Sequence, residues 1–242
     1  MIKKVLIGFF VGFLVLLFLV LIQQVDPVQH DPKQEVMVFP DSLVLLNFNT
    51  DSLKQIVGDN KGLPEGFETA ALLAYAAYPE LRDVAIDMQL VPYGAPMESN
   101  FNIPTLFGRK KNRKYIICLN DAQNTPFDEI LLYSLPFDAQ VGILAHELGH
   151  VAYYHNLSTL QIGKWGLMYL FSDDFRSSHE RSTDLMPVFH GLGSQIYQYA
   201  WYVRNDPSCK PLYEKFGAQF IDKFYMTDRE LKDAVEGHIL YQ

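Results

Sequence analysis

The segment that most constrains the fold of this chain is His-Glu-Leu-Gly-His at residues 146–150. On an α-helix, side chains four positions apart lie on one face, so the imidazoles of His146 and His150 can reach the same metal ion. Glu147 follows the first histidine directly and can reach a water molecule bound to that ion. This spacing is typical of zinc sites in which the glutamate is the general base. The fold must therefore place a helix here and bring a further ligand to it.

The third ligand is not a histidine further along the same helix. A catalytic zinc site needs three protein ligands and one open position for water. The longer pattern H-E-x-x-H-x-x-G-x-x-H would need glycine at position 153 and histidine at position 156, where this chain has Tyr153 and Asn156. His155 lies five residues after His150, about 140° further around a continuous helix, and is expected to face elsewhere.

A carboxylate from a following helix can complete the site. Glu180 and Asp184 are four residues apart, so both can lie on the helix face that meets the histidines. Glu180 is predicted to be the third ligand. Asp184 is predicted to accept the other ring N–H of a ligating histidine, which fixes its tautomer and raises its basicity. His179 is a competing third ligand, but Glu180 is preferred because only Glu180 brings Asp184 with it.

The rest of the sequence predicts a mainly helical domain with a small sheet ahead of the central helix. Apolar residues recur at helical spacing between Val141 and Ala152, which predicts a packed face beside a reactive one. Pro187 is expected to kink or end the helix that carries Glu180. Helices are predicted at 67–78, from 172 onward and at 193–203; a strand is predicted at 84–91, a loop at 92–104, and a hairpin with a basic tip at 105–119.

The N-terminus predicts a membrane anchor. An uninterrupted apolar run from Val5 to Ile22 is long enough to cross a bilayer and is followed by no small-residue cleavage site. An uncleaved signal anchor is therefore favoured over a removed signal peptide. Lys3 and Lys4 precede the run, so the N-terminus is expected to stay cytoplasmic and the remainder to be exported to the periplasmic or extracellular side.

Composition limits the possible partners and the redox chemistry. Hydrophobic residues make up 49% and charged residues 20% of the 242 residues, which is enough apolar material for a packed core. A net charge of −8 argues against nucleic acid as a partner. Cys118 and Cys209 could form one disulfide or stay as free thiols, and the sequence leaves both possibilities open.

The two motifs together resemble those of the M48 peptidases, a family of zinc-dependent gluzincins with many membrane-bound members. The run from His146 to His155 is similar to their H-E-L-G-H-V-x-x-x-H helix, and Glu180-x-x-x-Asp184 to their E-x-x-x-D motif. The resemblance extends over roughly residues 67–200. It implies an α+β, zincin-like fold in which the edge strand before the active-site helix binds the substrate backbone, and residues 105–119 would supply that edge.

The chain departs from the family pattern at two points. Thr183 stands where the family usually has alanine before the aspartate. The His-Pro pair expected further downstream is not evident, and the nearest feature is Asp206-Pro207. No basic residue is therefore assigned to the oxyanion.

These features combine into one expected organisation and one expected activity. The chain is expected to be a Zn²⁺-dependent endopeptidase acting on protein or peptide substrates, with Glu147 as general base. The alternative is a catalytically idle, membrane-tethered zincin-fold module for binding or assembly. The expected segments are a cytoplasmic tip at 1–4, a transmembrane signal anchor at 5–22, a tether and uncertain N-terminal segment at 23–66, and the metallopeptidase domain at 67–242.

Overall fold

The computed structural model describes residues 2–26, 39–43 and 49–242, and gives only the backbone course for residues 2–11. Parts of the predicted tether, residues 27–38 and 44–48, lie outside the described residues. In chain order the helices and strands are α1 (Ile2–Leu21), α2 (Thr50–Val57), β1 (Lys61–Gly62), α3 (Glu68–Ala76), β2 (Ala85–Val91), β3 (Met97–Phe101), α4 (Ile103–Leu106), β4 (Lys114–Asn120), α5 (Phe137–Asn156), α6 (Thr159–Phe171), α7 (Asp173–Phe189), α8 (Gly193–Asn205), α9 (Lys210–Phe216), α10 (Asp222–Phe224) and α11 (Asp228–Gly237).

The fold is α+β and mostly helical, as expected, with one small sheet ahead of the central helix. The sheet has the order β1-β2-β4-β3, in which β1, β2 and β4 are parallel and β3 runs antiparallel to β4. Side chains alternate between the two faces of a strand. In β4 this alternation buries Tyr115, Ile117 and Leu119 in the main hydrophobic core. Because β3 is the last strand in the order β1-β2-β4-β3, it forms an edge of the sheet.

Helix α5 runs through the middle of the molecule. Sixteen of its 20 residues are buried, so it is enclosed on all sides rather than having one packed face and one open face. Helices α3, α7 and α8 and strand β3 all pack against it. In its first turn the buried carboxylate of Asp138 accepts the backbone N–H of Leu43 at 2.8 Å. The helix predicted to carry the metal ligands is thus held rigidly by the core.

Two glycines of α5 allow its neighbours to approach closely. A Cβ at Gly142 would lie 2.3 Å from the backbone oxygen of Gln195 in α8. At Gly149, between the two histidines, a Cβ would lie 3.0 Å from the Met186 Cβ in α7. The glycine inside the histidine motif therefore makes room for the helix that carries Glu180.

Gly142→Ala is expected to lower the free energy of unfolding by about 1–3 kcal/mol, because the added methyl group forces apart the packed backbones of α5 and α8. The control is Gly166→Ala in α6, where a Cβ would meet nothing within 4 Å. That variant is expected to gain up to about 1 kcal/mol from helix propensity. Urea denaturation followed by circular dichroism measures both. Equal stability of Gly142→Ala and the wild type would contradict the close approach.

Most predicted elements are confirmed, with small shifts of their ends. Helices α3, α5, α7 and α8 and strand β2 all lie where the sequence predicts them. Pro187 does not end its helix early, because α7 continues to Phe189. The residues on either side, Met186 and Val188, are buried, and this packing outweighs the one backbone hydrogen bond that proline removes.

The predicted hairpin at residues 105–119 is wrong. The strand that pairs with β4 is β3, which lies inside the predicted loop at 92–104. Residues 103–106 form the short helix α4 instead, and the basic stretch belongs to the connection between β3 and β4. Strand β3 escaped prediction because its sequence, Met-Glu-Ser-Asn-Phe, carries polar residues on both faces and none of its residues is fully buried.

The C-terminal end of α1 is attached to the helical domain through α6. Lys164 Nζ donates to the carbonyl oxygens of Leu21 at 3.0 Å and Gln23 at 2.6 Å. A lysine at this place satisfies carbonyls that a helix end leaves unpaired. Among the described residues, no helix has both the length and the apolar character needed to cross a membrane. The anchor at residues 5–22 stays a prediction.

Candidate metal centre

Helices α5 and α7 bring three predicted ligands together in the core. His146 Nε2 lies 3.4 Å and His150 Nε2 lies 3.3 Å from the same oxygen, Oε2 of Glu180. All three residues are buried, and their ligand atoms lie within 4.8 Å of one another. Tetrahedral zinc with ligands about 2.0–2.1 Å away places neighbouring ligand atoms about 3.3 Å apart. His146, His150 and Glu180 thus form a group that can hold a metal ion.

His146 is oriented by the carboxylate predicted for that role. Its Nδ1 lies 2.8 Å from Oδ1 of Asp184, so its Nε2 faces Glu180 and His150. Burial alone lowers the pKa of His146, but the carboxylates of Asp184 and Glu180 outweigh it and raise the pKa well above its usual value. The other Asp184 oxygen, Oδ2, accepts the backbone N–H of Met226 at 2.7 Å. Asp184 therefore fixes the imidazole and a C-terminal segment at once.

His150 is oriented by another histidine. Its Nδ1 lies 3.2 Å from Nε2 of His179, in a stacked arrangement of the two rings. Burial, and then the neighbouring His150, lower the pKa of His179 to about 3, so His179 is neutral and its Nε2 can accept the proton of His150 Nδ1. His179, considered above as a third ligand, instead lies behind a ligand and leaves Nε2 of His150 directed at the metal position.

Glu180 uses its two oxygens for different partners. Oε2 faces the histidines, while Oε1 accepts a hydrogen bond from the hydroxyl of Tyr169. Burial raises the pKa of Glu180, but His150 and His146 outweigh this effect and hold the pKa well below its usual value. The carboxylate is therefore charged and presents one oxygen to the metal position.

Glu147 is buried beside the ligands and contacts the edge strand of the sheet. Ser99 Oγ in β3 lies 2.8 Å from both the backbone oxygen and Oε2 of Glu147. The hydroxyl thus holds the carboxylate at a defined position and leaves its second oxygen without a hydrogen bond to another described residue. The arrangement connects the predicted general base directly to the strand at the sheet edge.

A cavity of about 800 Å³ opens over these groups. One wall is the edge strand β3, and the metal-site residues form part of the lining. The lining also includes Tyr225, whose ring centroid lies 6.0 Å from that of His146. Burial and nearby acidic groups raise the pKa of Tyr225 well above its usual value, so its phenol keeps its proton. The cavity is large enough for several residues of an extended peptide.

Two other histidines lie away from the metal site. His155 faces Tyr115, whose hydroxyl lies 3.3 Å from its Nδ1, in agreement with the expected change of helix face. His190 stacks on Tyr78 and contacts Glu80 at 2.9 Å. Cys118 and Cys209 are both free thiols.

Sequence reasoning missed several residues that shape the site. Arg176 lies four residues before Glu180, and this helical spacing is a signal that could have placed it on the same face. Ser99, Tyr169 and Tyr225 carry no comparable signal, because each reaches the site only through tertiary packing.

Comparison with known proteins adds no relative to this picture. The resemblance to M48 peptidases rests on the two sequence motifs and stays a prediction. No family model, curated protein or solved structure matches the chain.

Proposed function

We propose that the protein is a zinc-dependent endopeptidase. The observation that carries this proposal is the buried group of His146, His150 and Glu180, with Glu147 beside it in the lining of a cavity of about 800 Å³. Two imidazoles and one carboxylate are the donor set of a catalytic zinc site with an open position. A site that only stabilised the fold would usually be closed by a fourth protein ligand.

Each role in hydrolysis is assigned to a particular residue of the chain. Zinc, when bound, polarises a carbonyl and lowers the pKa of a water molecule. Glu147 takes the proton of the attacking water and passes it to the leaving amine. Ser99 holds Glu147 in place, while Asp184 and His179 hold the two imidazoles. Tyr225 lines the cavity with its ring centroid 6.0 Å from that of His146, and we assign to its phenol the hydrogen bond to the oxygen on which negative charge develops.

The substrate binds as an extended strand along β3. A sheet edge presents unpaired backbone N–H and C=O groups, to which an extended peptide can add as a further strand. Residues 97–100 of β3 line the cavity, and Ser99 links this strand to Glu147. A peptide paired with β3 would therefore run past the general base with its backbone in a fixed register.

We further propose that residues 5–22 anchor the enzyme in a membrane, with the peptidase domain on the exported side. The support is the uninterrupted apolar sequence and the two lysines before it. The substrates would then be proteins or peptides that reach the exported face of that membrane.

Cleavage of an unfolded protein tests the proposal. Metal-depleted full-length protein is expected to leave casein intact. After addition of one equivalent of zinc it is expected to cleave casein, and addition of a chelator is expected to stop this cleavage. Metal content is measured on the same samples. Stoichiometric zinc binding without any cleavage would contradict the peptidase and favour the binding module. Cleavage that persists in chelator with no bound metal would contradict the metal-dependent mechanism.

A further inference from the structure

Arg176 is a cationic side chain in the cavity wall that the mechanism above does not use. It lies in α7, one turn before Glu180, and lines the cavity beside the metal-site residues. Its Nε is buried and has no hydrogen-bond partner among the described residues. Within the same part of the chain, its guanidinium forms no ion pair with a carboxylate at 4.0 Å or less. A buried donor without a partner is costly, and such a group calls for a reason.

Three aromatic rings lie around this guanidinium. Its Cζ lies 4.4 Å from the ring centroid of Phe224, 5.2 Å from that of Tyr169 and 5.3 Å from that of Phe220. Cation–π contacts hold a guanidinium through its faces and leave the N–H groups at its rim available. The planar group is therefore held in position before any ligand arrives, which reduces the entropy lost on binding.

Arg204, the other arginine that lines the cavity, is paired with a carboxylate of the chain. Arg204 is almost fully buried, its Nε donates to Asp222 at 3.0 Å, and its Nη1 donates to the backbone oxygen of Ala200. Its Nη2 is buried without a hydrogen-bond partner among the described residues, so the difference from Arg176 lies in the paired carboxylate. On α7 itself, Arg181 is paired with Glu230. Both of these guanidinium groups have a carboxylate from the chain. Arg176 has no such carboxylate among the described residues.

We propose that Arg176 binds a carboxylate of the substrate, so that the enzyme prefers peptides with an acidic group near the cut bond. Two parallel N–H···O bonds between a guanidinium and a carboxylate give both affinity and geometry. The carboxylate can be an acidic side chain or the C-terminus of the peptide. This inference rests on the proposed function, because the cavity must hold a peptide.

Peptide binding to full-length protein carrying Glu147→Gln tests the inference without turnover. The probes are a neutral amidated peptide labelled with a fluorophore, variants with one glutamate in place of a glutamine, and the free-acid form of the neutral peptide. Fluorescence anisotropy gives each Kd. At least one carboxylate peptide is expected to bind about 10–100-fold more tightly than the neutral one. The glutamate variants and the free acid separate a side chain from a C-terminus as the source.

Arg176→Met is expected to remove this preference and to leave the Kd of the neutral peptide unchanged. Arg176→Lys keeps the charge without the planar fork and is expected to retain part of the preference. The matched control is Lys223→Met, which removes a cation that also lies over Phe224, at 5.1 Å, but does not line the cavity. It is expected to leave every Kd unchanged.

Three results would overturn the inference. The first is that no peptide with a carboxylate binds more tightly than the neutral peptide. This result includes the case in which none of the peptides binds. The second is an equal loss of affinity for neutral and acidic peptides in Arg176→Met, which would indicate a structural role. The third is an equal loss of preference in Lys223→Met, which would indicate a diffuse charge effect. Failure of the proposed peptidase activity is distinguished from failure of this inference by the wild-type protein with zinc. If only the activity is absent, that protein binds the carboxylate peptides more tightly than the neutral one but cleaves none of them.

Discussion

Glu147→Gln is expected to lower kcat/KM for peptide hydrolysis by about 10²–10⁴-fold, because an amide cannot take the proton of the attacking water. The substitution keeps the size of the side chain and an oxygen that can accept from Ser99, which lies 2.8 Å from the carboxylate in the wild type. The ligands His146, His150 and Glu180 are untouched, so zinc content is expected to remain at one per chain. Steady-state kinetics on a fluorogenic peptide, with metal analysis of the same sample, measure both quantities.

The matched control is Glu65→Gln, which removes an exposed carboxylate that does not line the cavity. Its rate is expected to stay within a few-fold of the wild type. Turnover of Glu147→Gln at the wild-type rate would rule out Glu147 as the general base. Loss of zinc from Glu147→Gln would instead show that this residue supports the metal site.

Removal of the third ligand is expected to have the second large effect. Glu180→Ala leaves only His146 and His150 facing the metal position and deprives the Tyr169 hydroxyl of its acceptor. Two imidazoles do not complete a catalytic zinc site, so zinc content after dialysis is expected to fall from one per chain to near zero. Hydrolysis is expected to disappear with it.

The control for this experiment is Asp174→Ala on the same helix, where the side chain is exposed and is not part of the metal-binding group. It should bind zinc as the wild type does. Asp184→Asn provides a graded comparison, because loss of the carboxylate behind His146 typically weakens zinc affinity by about 10–100-fold without removing a ligand. Full zinc occupancy in Glu180→Ala would disprove the ligand assignment.

Local periodicity explains which parts of the site could be read from the sequence. His146 and His150 are one helical turn apart, and so are Glu180 and Asp184, so each pair is placed by the geometry of a single helix. The sequence also indicated that the two helices should meet, since a metal site with two histidines is incomplete. The α+β class and the helices around the site follow from the same regular patterns.

Features that depend on packing between elements could not be read in this way. The sequence predicts a loop at the edge strand β3, because three polar residues form its centre and Gly94, Pro96 and Pro104 flank it, although the burial of its residues does alternate. The sequence offers His179 only as a competing third ligand and gives no sign that its ring lies behind His150. Arg176 was overlooked, because its aromatic neighbours Phe220 and Phe224 are distant in the sequence.

The contact between Asp184 and Met226 bears on how such a site can diverge in evolution. The carboxylate holds the backbone N–H of residue 226, not its side chain. Every amino acid except proline offers that donor, so the contact places almost no demand on the residue type there. Distant descendants of this chain can therefore carry almost any residue at position 226 and still keep the imidazole of His146 in place. Sequence signatures of this contact would then persist at His146 and Asp184 on the two helices, whereas position 226 would vary.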